Sequence, residues 1–169
     1  YPTGEGRSPH QAALHVLAGE NMPKHPLRVI PLGGLGEIGR NMMALEYCRD
    51  IIVIDAGVLF PDEDMPGVDL VIPDITYLVQ NRDRVQAILI THGHEDHTGA
   101  LPYVLRELKA PVYASRLACG LISVKLKEHG ILKSVTLKEV EPGKLIKAGS
   151  FNVAFFRVCH SIPDAMGLA

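Results

Sequence analysis

Apolar residues along this chain gather in short blocks divided by glycine, proline and aspartate, with few long periodic runs. Leu27–Leu32, Met42–Tyr47 and Ile51–Asp55 predict three strands, the last two separated by a polar turn at Arg49 and Asp50. Val85–Ile90 is almost wholly apolar, as expected of a strand covered on both faces. Pro111–Ala114, Val135–Val140 and Phe151–Val158 add further strands. Helices are predicted at Ile75–Asn81, at Leu101–Leu108 and from an N-capping Ser115 to His129, where Gly130 stops the last one. The stretch from Ala56 to Pro73 is rich in Gly, Pro and Asp, and reads as a long surface loop of the kind that frames a site. Residues 1–26 hold Pro2, Gly4, Gly6, Pro9, Pro23 and Pro26, which predicts a flexible leader with one helical turn around Gln11–Leu17. Strands interleaved with helices through short turns indicate a layered α/β domain over residues 27–169.

Composition narrows the picture. A chain of 169 residues, 47% of them hydrophobic, is enough for one packed core. The net charge of -2 gives no global attraction to polyanions, so a nucleic-acid substrate would need a local patch or bound cations. Cys48, Cys119 and Cys159 have no C-x-x-C spacing and suit a reducing compartment as small, mostly buried residues. No apolar run is long enough to span a bilayer, and the N-terminus lacks the pattern of a secretory signal, so a cytoplasmic protein is expected.

The chemistry concentrates in Thr91-His92-Gly93-His94-Glu95-Asp96-His97-Thr98-Gly99. Three imidazoles and a carboxylate within six positions, at the end of a buried strand, form a dense set of nitrogen and oxygen donors. In a tight turn His92 and His94 would face one side and Asp96 and His97 another, which suits two adjacent divalent cations, with Gly93 letting the backbone turn closely. His160 leaves the end of another apolar strand and is the candidate third imidazole for the first cation, since catalytic zinc commonly takes three protein ligands and a water. Asp164 reads as a turn residue after Pro163. Asp55 reads as a group that orients a metal-ligating histidine.

Gly34-Leu35-Gly36-Glu37-Ile38-Gly39 also matches the dinucleotide-binding pattern G-x-G-x-x-G. Too little chain lies between Gly39 and Ile51 for a crossover helix with its turns. A glycine-rich loop at the edge of the active site, with Gly34 and Gly36 on the substrate side, is the better reading.

His92–His97 resembles the signature of the metallo-β-lactamase superfamily. Pro31–Asn41, the stretch from Phe60-Pro61-Asp62 to Pro73-Asp74, and His160-Ser161-Ile162-Pro163-Asp164 resemble the ribonuclease J family within it. The resemblance implies the N-terminal portion of an αββα sandwich. It implies one cation on His92, His94 and His160 and another on Asp96 and His97, zinc first and manganese or magnesium as alternatives. Asp96 would be catalytic and Ser161 would lie on the substrate side. It further implies hydrolysis of RNA phosphodiesters, exonucleolytic from the 5′ end and endonucleolytic, in RNA turnover and maturation, by a homo-oligomeric parent. The remaining ligands, the β-CASP domain and a C-terminal domain are expected beyond Ala169. A thioester or lactam hydrolase on the same centre, and an inactive metal-binding fragment, are the rival readings.

Overall fold

The computed structural model describes residues 25–61 and 65–169. The leader expected over residues 1–26 therefore lies, but for its last two residues, outside the described residues. A six-stranded sheet runs in the order β1 (Arg28–Gly33), β2 (Met42–Tyr47), β3 (Asp50–Ile54), β4 (Val85–Leu89), β5 (Val112–Ala114), β6 (Leu137–Glu139). The first two pairings are antiparallel and the last three parallel. A second sheet holds β7 (Leu145–Ala148), β8 (Phe151–Arg157) and β9 (Met166–Leu168), all antiparallel. Among the described residues four helices accompany them: α1 (Thr76–Gln80), α2 (Glu95–Thr98), α3 (Leu101–Glu107) and α4 (Arg116–Glu128).

The side-chain period of two along β3 and β4 distributes the core. Ile51, Val53, Ile88 and Ile90 face the helices with Leu101, Val104, Ile122 and Leu126, whereas Ile52, Ala87 and Leu89 face the second sheet with Val153, Phe155 and Met166. The helices, the large sheet and the small sheet thus form three successive layers. The expected double burial of Val85–Ile90 follows from its central place between β3 and β5. Ser115 caps α4 as expected, accepting from the Ala118 amide, and Gly130 takes the left-handed φ of 73° that ends it.

Several elements differ from expectation. The strand expected over Val135–Val140 shortens to β6, because its partner β5 offers only Val112–Ala114 to pair with. The strands β7 and β9 were absent from the sequence pattern: one is a four-residue strand between two glycine turns, and the other has three residues with a glycine at its centre. The run after β4 is not a bare turn, since residues 95–98 close one helical turn.

Near the end of β2 Glu46 is 8% exposed, on the helix-facing side of the strand with Met42 and Ala44. Arg28 reaches it at 2.9 Å, and Arg84 and the Tyr77 hydroxyl also donate to it. The Tyr77 hydrogen bond, with the two arginines, holds its carboxyl below the ordinary value despite its burial. A depressed carboxyl contributes stability that is complete above its unfolded pKa and is lost as pH falls through the folded one. Glu46→Gln is therefore expected to lower the free energy of unfolding by about 1–3 kcal/mol at neutral pH. Urea titrations at neutral pH and in strong acid should show the gap between variant and parent closing in acid; an equal gap at both would contradict the account.

Candidate metal centre

All the candidate ligands but His160 arise at or just beyond the carboxyl ends of the parallel strands β3 and β4, where loops leave the sheet with free backbone groups. Thr91 and His92 follow β4, and Asp55 follows β3 directly. His160 comes from the other sheet, on the loop between β8 and β9. Two backbone hydrogen bonds fix that loop: Val158 N–H to the Ala165 carbonyl at 3.2 Å closes it, and Met166 N–H to the Thr91 carbonyl at 2.9 Å ties its end to the histidine loop.

This brings His92, His94 and His160 together, with one ring nitrogen from each lying within 4.8 Å of the others. The ring centroids of His92 are 4.7 Å from His94 and 4.4 Å from His160. The His97 ring also lies 4.1 Å from that of His92, so the four imidazoles form one continuous cluster around His92 rather than the two separated faces expected of a simple turn. Gly93 matters for packing rather than for a left-handed turn. A Cβ there would lie 2.6 Å from Cδ1 of Leu121 on α4.

Proton positions follow from Asp55. Its buried carboxylate accepts from the Thr91 amide at 2.8 Å, from the Thr91 hydroxyl at 2.9–3.0 Å and from His97 Nδ1 at 2.8 Å. Having given its one proton to Asp55, the Thr91 hydroxyl accepts from His92 Nδ1 at 2.9 Å. Both His92 and His97 thus carry a proton on Nδ1 and turn Nε2 inward, and on His92 that Nε2 is bare. Burial, with the neighbouring imidazoles adding to it, pushes His92 down to about 4, so its lone pair is free at neutral pH. For His97, burial works downward, but the hydrogen bond and charge of Asp55, and the charge of Asp96, outweigh it and raise the pKa.

The donor set fits a divalent cation. His92 Nε2 and His94 Nδ1 stand 3.0 Å apart, close to the roughly 3.3 Å between nitrogens sharing a tetrahedral ion, and exposed His160 is free to adjust. A single N–H···N bond would satisfy the first pair but would leave the third imidazole without a purpose in the cluster.

A second pair of donors adjoins the first. His97 Nε2 and Asp96 Oδ2 are 3.4 Å apart, and the Asn41 amide nitrogen lies 3.1 Å from Asp96 Oδ2, 3.1 Å from the Asp96 carbonyl and 3.3 Å from His97 Nε2. Asn41 is itself held by its backbone, donating to the Asp96 carbonyl at 3.1 Å and accepting from Gly57 at 3.0 Å. Gly57 has no room for a side chain, since a Cβ would fall 1.5 Å from the Asp96 carbonyl oxygen. The sequence assigns no role to Asn41, Gly57 or Thr91, although each stands in a stretch it singles out. The signal for each was its place beside a glycine cluster or at a strand end, which identifies a loop but not its partner.

The glycine-rich loop borders this second pair. Gly34 and Gly36 adopt φ of 81° and 72°, and a Cβ on Gly34 would lie 2.7 Å from Asn41 Oδ1. Ser161 is exposed beside His160. Asp164 lies outside the three-histidine group, in a turn with φ of 62°. Because β1 and β2 pair antiparallel, the glycine loop joins a hairpin and not a strand to a crossover helix, which removes the dinucleotide reading.

A family model described as the metallo-beta-lactamase superfamily matches residues 35–146. Ribonuclease J 1 of Streptococcus pyogenes is 46% identical over 140 residues, which are 83% of this chain and 25% of that protein. Ribonuclease J2 of Bacillus subtilis is 45% identical over 143 residues, 85% of this chain and 26% of the relative. The chain therefore spans about a quarter of the length of these relatives. Among solved structures, a diphosphatase of the PhnP family aligns with a TM-score of 0.56 at 19% identity over 77% of this chain and 48% of its own. A B3 metallo-beta-lactamase with an active-site glutamic acid aligns at 0.53 and 17% identity over 85% of this chain and 56% of its own. At such identities the two structures speak for the fold alone.

If Asp55 fixes the imidazoles as described, Asp55→Ala should weaken zinc binding by roughly 10- to 100-fold. Competition against a chromophoric chelator measures this, and an unchanged affinity would remove Asp55 from the centre.

Proposed function

This chain belongs to the metallo-β-lactamase superfamily, and from that premise we propose that it forms the metal-binding part of a ribonuclease J-type enzyme hydrolysing RNA phosphodiesters. The observation that carries the reading is the coincidence of two independent facts. The chain is nearly half identical to ribonucleases J over most of its length, and its folded loops gather the histidines and the aspartate that hydrolysis would need. No helix among the described residues is long and apolar enough to cross a membrane. The three cysteines are unpaired, which suits the cytoplasm.

In this proposal His92, His94 and His160 hold one cation, and Asp96 and His97 a second. Zinc is favoured over manganese or magnesium by the imidazole-rich donor set. Divalent cations there supply positive charge for the phosphoryl oxygens and make water acidic enough to serve as nucleophile at neutral pH. That local charge also answers the net charge of -2, which offers a polyanion nothing. Asp96 is the proposed catalytic residue. Its side chain is 39% exposed, and the Asn41 amide fixes Oδ2, leaving Oδ1 able to orient a water and receive its proton. Asp55 positions His97 directly, and His92 through Thr91. Gly34, Gly36 and Ser161 edge the path of the substrate, their lack of bulk letting a phosphate backbone approach. A homo-oligomeric parent belongs to the proposal on the family resemblance alone.

A chimera tests the activity. Residues 27–169 are placed in Ribonuclease J 1 of Streptococcus pyogenes in exchange for its matching segment, and assayed against 5′-monophosphorylated RNA, a thioester and a β-lactam. Cleavage of RNA only, lost on chelation and lost by at least about 100-fold in Asp96→Ala, is expected. Thioester or lactam hydrolysis without RNA cleavage would overturn the reading.

A further inference from the structure

Helix α4 backs the histidine loop with one face. Ala118, Leu121 and Lys125 recur at the three- and four-residue spacing that aligns side chains along a helix. The first two lie under Gly93, where a Cβ would come 2.6 Å from Leu121 Cδ1 and 3.6 Å from Ala118 Cα. Lys125, one turn further on, donates to the Glu95 carboxylate. This is not a meeting of two loose surface chains. The Lys125 side chain is 16% exposed, so its stem runs under cover to deliver the ammonium, whereas that of Glu95 is 54% exposed. Of the two carboxylates in the run, Asp96 lies against His97 Nε2 and Glu95 turns to α4.

We propose that Lys125 is a positioning residue of the metal centre, holding the ligand turn in place through Glu95. It rests on the reading of His92–His97 as metal ligands and adds a residue outside the run that fixes their arrangement. The turn needs such a fixture. Helix α2 has four residues, its N-cap His94 forms no side-chain cap, and a single helical turn does not sustain itself in water. The Val58 N–H bond to the Glu95 carbonyl at 3.2 Å holds its backbone and leaves the side chain to Lys125. Glu95 stands between His94, a ligand of one proposed cation, and Asp96, a ligand of the other. Lys125 fastens that point to a 13-residue helix that is capped by Ser115 and packed through Ile122 and Leu126. The tie also holds a surplus carboxylate away from the cations. Once released, Glu95 would compete for them with the ligands on either side of it.

The sign of the effect on zinc separates positioning from charge. A cation near the centre repels zinc, so removing the ammonium would, by charge alone, tighten binding. Positioning predicts the reverse. Competition against a chromophoric chelator should show Lys125→Met binding zinc about 10-fold more weakly, the lower end for groups that stand behind a metal ligand. Lys125→Arg, which keeps the charged donor, should bind zinc like the parent. In a Glu95→Gln background Lys125→Met should cause no further loss, because the tie acts only through Glu95. Methionine keeps most of the covered stem, and Glu95→Gln, at an exposed side chain, leaves the packing of α4 untouched. Lys125→Met binding zinc as tightly as the parent or tighter, or losing as much in the Glu95→Gln background, would overturn the positioning role and leave the metal centre intact. Failure of the parent chain to bind zinc would overturn both.

Discussion

One buried carboxylate organises the centre. Asp55 sits where β3 leaves the sheet, and its two oxygens reach the Thr91 amide, the Thr91 hydroxyl and His97. A carboxylate with only 5% exposure is expensive to bury unless its lone pairs are met by donors. Here every donor it uses belongs to the histidine loop. Satisfying Asp55 and arranging the ligands are therefore the same physical event. The left-handed φ of 60° at Asp55 is part of this, since it turns the chain from the strand into the run that borders α2, a conformation an aspartate tolerates better than most residues.

Around that carboxylate, backbone bonds hold the loops against one another. Ala56 N–H donates to His97, Val58 N–H to Glu95, and Ala100 N–H to Ala56, at 2.8, 3.2 and 2.8 Å. Residues 55–58 and 95–100 thus form a clamp in which Gly57 and Gly99 leave no space for side chains. The small sheet joins the histidine loop through the backbone bond from Met166 to Thr91. His160, on an exposed loop, is consequently the most adjustable of the three imidazoles, and His92, buried beside Thr91, the least. In the proposed centre the buried imidazole of His92 would define the site and the exposed one of His160 would close it.

Much of this was legible in the sequence, for identifiable reasons. The spacing His92-x-His94-x-Asp96-His97 at the end of an apolar strand specified a dense donor set whatever the loop geometry. His160 was legible because it too leaves a strand end. The central strands declared themselves by continuous apolar character, and α4 by its serine cap and terminal glycine. The remainder depended on contacts between distant segments. Asn41 is an ordinary polar residue until the fold sets it beside Asp96, 55 positions away. Thr91 reads as a strand-end threonine until its hydroxyl is seen linking Asp55 to His92. Strands β7 and β9 have too few residues for periodicity to register, and are made strands by pairing with β8. The expectation that His92 and His94 would face away from Asp96 and His97 treated the run as a turn, whereas the helical turn at 95–98 folds the His97 ring back against His92.

Protonation at Nδ1 of His92 and His97 turns each Nε2 inward, with a lone pair on His92 Nε2 and His94 offering Nδ1. Long-range proton–nitrogen correlation spectra of the imidazoles, recorded before and during zinc titration, read this directly. Protonated Nδ1 atoms on His92 and His97 are expected from the start, with zinc-induced nitrogen shifts at Nε2 of His92, Nδ1 of His94 and one nitrogen of His160 together. A proton on Nε2 of His92, or zinc that moves His92 and His94 while leaving His160 unchanged, would contradict that assignment.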